Sequence, residues 1–294
     1  MVITMAEDSR LRSLIGNRQR IGLGGEGVLR TESRDKEALV MLDAAYDSGI
    51  RYYDSAPAYA DSERYLGMFW RQHPERKKAT FQTSKSAERY AAGAERNLEQ
   101  TLRRLGRDHI GLWQIHDIRD DKDISQIEGP NGALRVFYNA RETGIVKGIG
   151  VTGHYNPEIL LHAVSSWDVD SVLLPVNIFE LIFGGFLDKV IPAARERGIG
   201  VIGMKALGGG NYVIPEAGLV PETLIRFALS QNIDLLIVGC STPGEAQILA
   251  QLGRIHTPME DDELSQLITN INNNLDKIQN NRTGPIIAYY RGIL

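Results

Sequence analysis

The 294-residue chain predicts an α/β fold: a closed (β/α)8 (TIM) barrel with an extra C-terminal helix and tail, carried by a single domain over residues 1–294. Three observations lead there. Eight short apolar, β-compatible runs recur along the chain, helical patterns lie between them, and the eight units occupy about 250 residues, a length that suits a barrel better than an open doubly wound sheet.

The eight runs fall at 20–23, 52–54, 80–83, 110–115, 147–152, 171–176, 200–204 and 235–239. Between them, sets such as Leu98, Leu102 and Leu105, or Leu224, Phe227 and Ala228, keep apolar residues on one helical face, the periodicity of a helix laid on a sheet. Asn156-Pro157 and Thr242-Pro243 each place a capping side chain before a proline at the first helical position, where the missing N–H costs nothing. Strands alternating with helices pair in parallel through right-handed crossovers. The polar stretch 117–131 reads as a long loop after the fourth strand. Past the eighth unit, Leu264, Leu267, Ile268, Ile271, Leu275 and Ile278 share a stripe that predicts a further helix across the barrel exterior, and residues beyond Asn281 read as loop. Trp70, Trp113 and Trp167 read as core.

Composition narrows the function classes. With 43% hydrophobic and 24% charged residues the chain can bury one large core. Its formal charge of -4, with no block of five like charges, argues against nucleic acid as a partner. The N-terminal stretch lacks the apolar core of a secretory signal, and the apolar run from Val172 stops at Glu180, short of a membrane span, so a cytoplasmic protein with no membrane partner is expected. The sole cysteine, Cys240, allows no internal disulfide and reads as structural; no metal site is expected, and no particular oligomer is indicated.

In a barrel of this kind the active site lies at the C-terminal ends of the strands. Asp54 ends the second strand, Lys85 the third and His116 the fourth, while Tyr59 lies five residues past Asp54. A phenol with an ordinary pKa of about 10 is a poor acid or base at neutral pH, but a neighbouring ammonium favours its ionised form. Lys85 is expected to supply that ammonium, Asp54 to keep it charged, and His116 to hydrogen-bond a substrate oxygen. Taken singly, these residues read as a helix cap, a packed aromatic, a surface charge and a core histidine.

The stretch GIRYYDSAPAYADSERYLG at 49–67, QTSKS around Lys85 and LWQIHD around His116 together resemble the aldo-keto reductases. The resemblance runs from about Ile21 through the eighth βα unit, and it implies a catalytic tetrad of Asp54, Tyr59, Lys85 and His116 with an NADP(H) or NAD(H) cofactor across the barrel mouth. VIGMKALGGG at 201–210 is similar to a subgroup with Met-Lys where many relatives stack a tyrosine on the nicotinamide; it implies Met204 as the stacking residue, with Lys205, Leu207, Gly208, Gly209 and Gly210 beside the cofactor. Thr152 stands where relatives place a serine against the carboxamide, and Asn177 substitutes for a glutamine ending the sixth strand.

GLGGEG at 22–27 and GIGVTG at 148–153 both satisfy G-x-G-x-x-G, yet neither follows a strand and opens a helix as a dinucleotide fingerprint requires. Gly24 is instead expected to let the first loop approach substrate or cofactor. Cofactor phosphates are expected at Gly208–Gly210 and at Ser241 and Thr242 before the helix after the eighth strand, with Gly239 also among the cofactor-binding residues. Relatives that prefer NADP commonly place a lysine and then an arginine where Cys240 and Glu245 stand, and a carboxylate there would favour the free 2′-hydroxyl of NAD. Phe179, Phe183, Tyr289 and Tyr290 are candidates for an apolar substrate wall. The expected reaction is hydride exchange with an aldehyde, ketone or sugar-like carbonyl or alcohol, with Tyr59 as general acid/base. Two alternatives stand beside it: a low-turnover nicotinamide-binding regulatory subunit on the same barrel, and a lyase using Lys85 as a Schiff base.

Overall fold

A computed structural model of the chain describes residues 9–16, 20–255 and 257–274. Eight parallel strands close into a barrel in sequence order: β1 (Ile21–Gly27), β2 (Tyr52–Tyr53), β3 (Phe81–Ser86), β4 (Ile110–Ile115), β5 (Val146–Thr152), β6 (Ser171–Pro175), β7 (Gly200–Met204) and β8 (Leu235–Cys240), with β8 paired back to β1. A closed sheet has no switch point, which removes the dinucleotide-fingerprint reading of both glycine motifs. GIGVTG lies within and just past β5, and Gly24 and Gly25 belong to β1 rather than to the loop expected there.

Alternation divides each strand between two environments. Tyr52, Phe81, Leu112, Leu173, Ile202, Leu235 and Ile237 form one buried cluster inside the barrel, while neighbours such as Tyr53, Trp113, Val172, Val201 and Leu236 pack outward against the helices. The three tryptophans are buried as expected.

The lower end of the barrel is sealed by a short helix, Arg10–Ile15, that was not anticipated from the sequence. Leu11 and Ile15 enter the interior cluster, and Ser9 caps the helix while its hydroxyl donates to the buried Asp234 at 2.8 Å. Asp234 also pairs with Arg12 (3.4 Å) and Arg195 (2.6 Å) and accepts from the Val201 amide, so one carboxylate ties the plug to the starts of β7 and β8.

Both proline-marked helices form: Asn156 caps Pro157–Ser166 and Thr242 caps Pro243–Arg254. The stretch 117–131 is not one loop, because Asp121–Glu128 is helical; the Asp120 side chain accepts from the Asp123 amide, acidic residues fill the first turn, and Ile124 and Ile127 are buried. The further C-terminal helix is Asp261–Asn273, and Leu267 and Ile271 bury against Tyr212, Ile214, Leu224 and Phe227 in a satellite core beside the loops after β6 and β7. Leu275, Ile278 and the tail, including Tyr289 and Tyr290, lie outside the described residues. Among the described residues, no helix is long and apolar enough to cross a membrane.

Leu11→Ala should destabilise the chain by about 2–5 kcal/mol, the range for emptying a fully buried leucine site. Denaturant unfolding measures this; a loss under about 0.5 kcal/mol, the range of surface substitutions, would mean that the helix does not seal the barrel.

Candidate active site

Lys85 points inward near the end of β3, in register with Gln114 on β4, which pairs in turn with Gly150 on β5. Its side chain is fully buried, and its ammonium donates to Asp54 Oδ2 at 2.5 Å and to the Ser55 carbonyl at 2.9 Å. Asp54 follows β2 directly and is equally buried; its Oδ1 accepts from Thr83 Oγ1 at 2.8 Å. Burial opposes the charge on Lys85, but the attraction of Asp54 and of the Tyr59 oxygen outweighs it, and the ammonium is held above its ordinary pKa. A Schiff base at Lys85 would require this ammonium to lose its proton and leave Asp54 buried without a counter-charge, which weighs against the lyase alternative.

Tyr59 lies on the loop after β2, half-buried, with the Lys85 Nζ 4.7 Å from its ring centroid and the His116 ring edge-on at 5.6 Å. From the solvent side, the Arg30 guanidinium stands 5.3 Å from the same ring and pairs with Glu26. The four expected tetrad residues are therefore gathered at one end of the barrel. One expectation is corrected: burial raises the Tyr59 phenol above its ordinary pKa, and Lys85 only partly offsets it. His116 follows β4; burial first, then the repulsion of Lys85, depresses its imidazole to about 3, so it is neutral at physiological pH.

The loop carrying Tyr59 is anchored by residues whose roles the sequence alone did not reveal. Ser55 and Ser62 share a hydroxyl–hydroxyl bond of 2.8 Å across the loop. The buried Glu63 accepts from Ser84 (2.7 Å) and Thr101 (2.8 Å) and pairs with Arg104 (3.2 Å), fastening the helix Ser62–Gln72 to β3 and to the helix Ala91–Leu105. Gly25 is required beneath the ring, because a Cβ there would lie 2.7 Å from Tyr59 Cδ2 and 3.0 Å from the Asp54 carbonyl oxygen. Among the described residues the non-glycine positions with left-handed backbone are Ser33, Ala60, Asp117 and Lys205, and the last three directly follow Tyr59, His116 and Met204. Such strain persists where the surroundings over-determine it and clusters at functional sites.

The expected cofactor residues line the same end. Thr152 is buried and its hydroxyl accepts from the Asp117 amide at 2.9 Å; Asn177 is buried and its Oδ1 accepts from the Phe179 amide at 3.0 Å, so each already serves the adjoining loop. Met204 is half-buried at the end of β7, packed on the interior cluster. Lys205 follows it, and burial lowers its ammonium to about 8. Leu207 packs against both the main and the satellite core, and Gly208–Gly210 form a tight turn with φ of 54°, 65° and 92°. Gly24 packs backbone to backbone against Val238 and Gly239. Ser241 and Thr242 are exposed at the start of the helix Pro243–Arg254, but Glu245 Oε2 accepts from the Ser241 amide at 2.6 Å and Thr242 Oγ1 from the Glu245 amide at 3.3 Å. A phosphate at this helix end would therefore meet a carboxylate already bound to one of the available amides.

Phe179 does not form a substrate wall: it is buried against Tyr212, with ring centroids 4.7 Å apart, inside the satellite core. The side chain of Phe183 lies outside what is described. Among the described residues, the rim beside His116 carries polar groups. Asp117 meets His154 at 2.9 Å and Arg119 at 2.5 Å, and although burial pushes its carboxyl up, these two partners hold it well below the usual carboxylate range. Cys240 is buried, its thiol pushed up to about 12, in keeping with a structural role.

A tyrosine, a histidine and a buried lysine–aspartate pair thus meet at one end of a closed parallel barrel, and comparison with known proteins gives the family of the chain. The model of the Aldo/keto reductase family matches residues 20–213, and the chain belongs to that family. Over 220 residues it is 28% identical to D-threo-aldose 1-dehydrogenase of a Pseudomonas species, an alignment that covers 64% of this chain and 65% of that protein, just under two thirds of the relative's length. Over 260 residues it is 26% identical to pyridoxal 4-dehydrogenase of Microbacterium luteolum, covering 75% and 70% of the two chains. An aldo-keto reductase from Klebsiella pneumoniae solved in complex with NADPH superposes with a TM-score of 0.69 at 19% identity, over 85% of this chain and 90% of the other, a likeness of fold.

Gly25→Ala should displace the Tyr59 ring or its loop and lower turnover by about 10- to 100-fold, the scale of a misplacement near 1 Å. Far-ultraviolet circular dichroism should be unchanged. Wild-type turnover in this variant would show that the ring has room to shift.

Proposed function

We propose that the chain is an NAD(P)H-dependent carbonyl reductase, acting reversibly on an aldehyde, ketone or sugar-like substrate, with Tyr59 as general acid/base. The observation that carries the reading is the convergence of Tyr59, Lys85, Asp54 and His116 at one end of the barrel in a member of the aldo/keto reductase family. A bound reduced nicotinamide supplies the hydride to the carbonyl carbon. Tyr59 Oη donates its proton to the carbonyl oxygen, and the raised pKa of the phenol keeps that proton in place at neutral pH until the reaction draws it off. Lys85, charged because Asp54 holds it so, then stabilises the phenolate left behind. His116, neutral, orients the carbonyl oxygen by a hydrogen bond. Oxidation of an alcohol runs through the same groups in reverse.

The cofactor is NADP(H) or NAD(H), bound along Gly24, Thr152, Asn177, Met204, Lys205, Leu207, the turn Gly208–Gly210, Gly239, Ser241, Thr242 and Glu245. The glycine turn supports this by its open backbone at two positions: among the described residues no heavy atom lies within 4 Å of a Cβ placed at Gly210, and at Gly209 only the Asn211 side-chain nitrogen does, whereas at Gly208 the Tyr212 ring would meet it. The carboxylate of Glu245 at the helix start supports a preference for NAD, through repulsion of a 2′-phosphate.

Tyr59→Phe should lower carbonyl reduction by about 10²- to 10⁴-fold, the usual contribution of a general acid, while cofactor affinity is unchanged. Steady-state rates followed by cofactor absorbance test it, and full activity in the variant would remove Tyr59 from the role of donor.

Glu245→Arg should tighten NADPH relative to NADH by about tenfold, roughly 1.4 kcal/mol, and more strongly at low salt. Glu245→Gln, which can keep the bond to the Ser241 amide, separates charge from capping. A preference unmoved by the arginine would place Glu245 away from the ribose and return the assignment to NADP.

A further inference from the structure

We propose that Arg89 is a positioning residue for the reaction, holding the His116 imidazole in place through the backbone of residues 116 and 117. The proposal rests on the reading of His116 as the group that meets the carbonyl oxygen. Arg89 lies between β3 and the helix Ala91–Leu105, four residues past Lys85, and its guanidinium reaches across to the loop after β4. Nη1 donates to the His116 carbonyl at 2.8 Å and Nη2 to the Asp117 carbonyl at 2.7 Å. The same group is gripped by Asp123, with Nε to Oδ1 at 2.7 Å and Nη2 to Oδ2 at 2.8 Å, and Asp123 Oδ2 also accepts from the Arg119 amide at 2.9 Å. Both side chains of the pair are mostly shielded, with 14% and 17% of their surface exposed, so the interaction is not a solvated surface ion pair.

The segment Arg89 holds needs holding. Asp117 has φ 57°, a left-handed conformation in which its Cβ crowds the following carbonyl and which non-glycine residues rarely adopt. Relief of that strain would shift the backbone at 116 and 117, and with it the Cα from which the His116 imidazole is aimed. The amides on this segment are tied to both neighbouring strands: His116 N–H to the Ser86 carbonyl (2.9 Å), Asp117 N–H to Thr152 Oγ1 (2.9 Å) and Ile118 N–H to the Thr152 carbonyl (2.9 Å). Arg89 completes the set by taking the two carbonyls, so the peptide has no free end about which to turn. The planar guanidinium fork meets two carbonyls and one carboxylate at once; a lysine ammonium, a single point on a flexible stem, cannot reproduce that geometry.

The imidazole is faced by Lys85 on β3, Tyr59 on the loop after β2, Asp117 and Arg89 on the loops after β4 and β3, and His154 after β5. Arg89→Lys retains the positive charge while losing the fork, so its effects report the loop rather than the charge. The test uses the full chain as wild type, Arg89→Lys and Asp123→Asn, with a reducible carbonyl identified first on the wild type. Four measurements are made: kcat and KM, cofactor affinity by fluorescence, melting temperature, and the titration of His116 followed by NMR on histidine-labelled protein.

The expected result is a fall in kcat of about 10- to 100-fold for Arg89→Lys and a smaller fall for Asp123→Asn, with cofactor affinity within about twofold of wild type. The His116 titration should move up from about 3 toward the ordinary histidine value as the loosened loop admits water. Unchanged kcat and an unchanged His116 titration in both variants would overturn the proposal. So would losses in kcat matched by equal losses in cofactor affinity and melting temperature, which would make the pair a structural tie only. Failure of the wild type to reduce any carbonyl would count against the functional reading alone, because the His116 titration still decides whether Arg89 fixes the imidazole.

Discussion

The buried pair of Lys85 and Asp54 is the constraint around which the upper half of the barrel is organised. An ammonium with no solvent exposure is tolerable only if a carboxylate and a carbonyl replace its water, and Asp54 and Ser55 supply both from the end of β2. The carboxylate needs its own donors, which fixes Thr83 on the same inward face as Lys85. Removing either partner would leave an unpaired buried charge, typically a loss of about 3–5 kcal/mol. The register between β2 and β3 is thus held by the same atoms that face Tyr59, and an error of one residue would separate them.

A tyrosine on a loop is useful to chemistry only if the loop is as fixed as the strands, and most of the polar residues around 54–63 serve that end. The Ser55–Ser62 bond closes the loop on itself, Glu63 pins the following helix, and Gly25 clears the floor beneath the ring. A site carried by a rigid scaffold and finished by loops has this division of labour as a rule. The Tyr59 phenol shows how finely opposed the electrostatic effects are: Lys85 pulls its proton away while burial keeps it on, and burial is the larger.

Local pattern carried far in this chain. The strands at 110–115 and 200–204 are those read from the sequence, and both Asx/Thr-Pro caps start helices where expected. The gathering of Asp54, Tyr59, Lys85 and His116 was legible because Asp54, Lys85 and His116 sit at successive strand ends in chain order and Tyr59 follows in the loop after the second strand. What was not legible depends on distance or on exposure. Glu63 finds Ser84 and Thr101 from 21 and 38 residues away, and nothing in its own neighbourhood announces them. The helix Asp121–Glu128 hid behind its charges, since only Ile124 and Ile127 mark its buried face. Phe179 looked like a substrate wall because it follows a strand, but the satellite core built by Tyr212 and the helix Asp261–Asn273 claims it. The direction of the Tyr59 shift turned on burial, a quantity the sequence does not contain.

The helix that plugs the lower end has a consequence for how the barrel breathes. With Asp234 and its two arginines binding the plug at one end and strained, glycine-rich loops at the other, local opening should become easier along the barrel axis from floor to rim. Amide protons at the strand starts would then exchange with solvent only through global unfolding, whereas those beside Tyr59 and His116 would exchange through small excursions of the rim. Rigidity and reactivity are held at opposite poles of one continuous sheet, and the rim can move without loosening the floor.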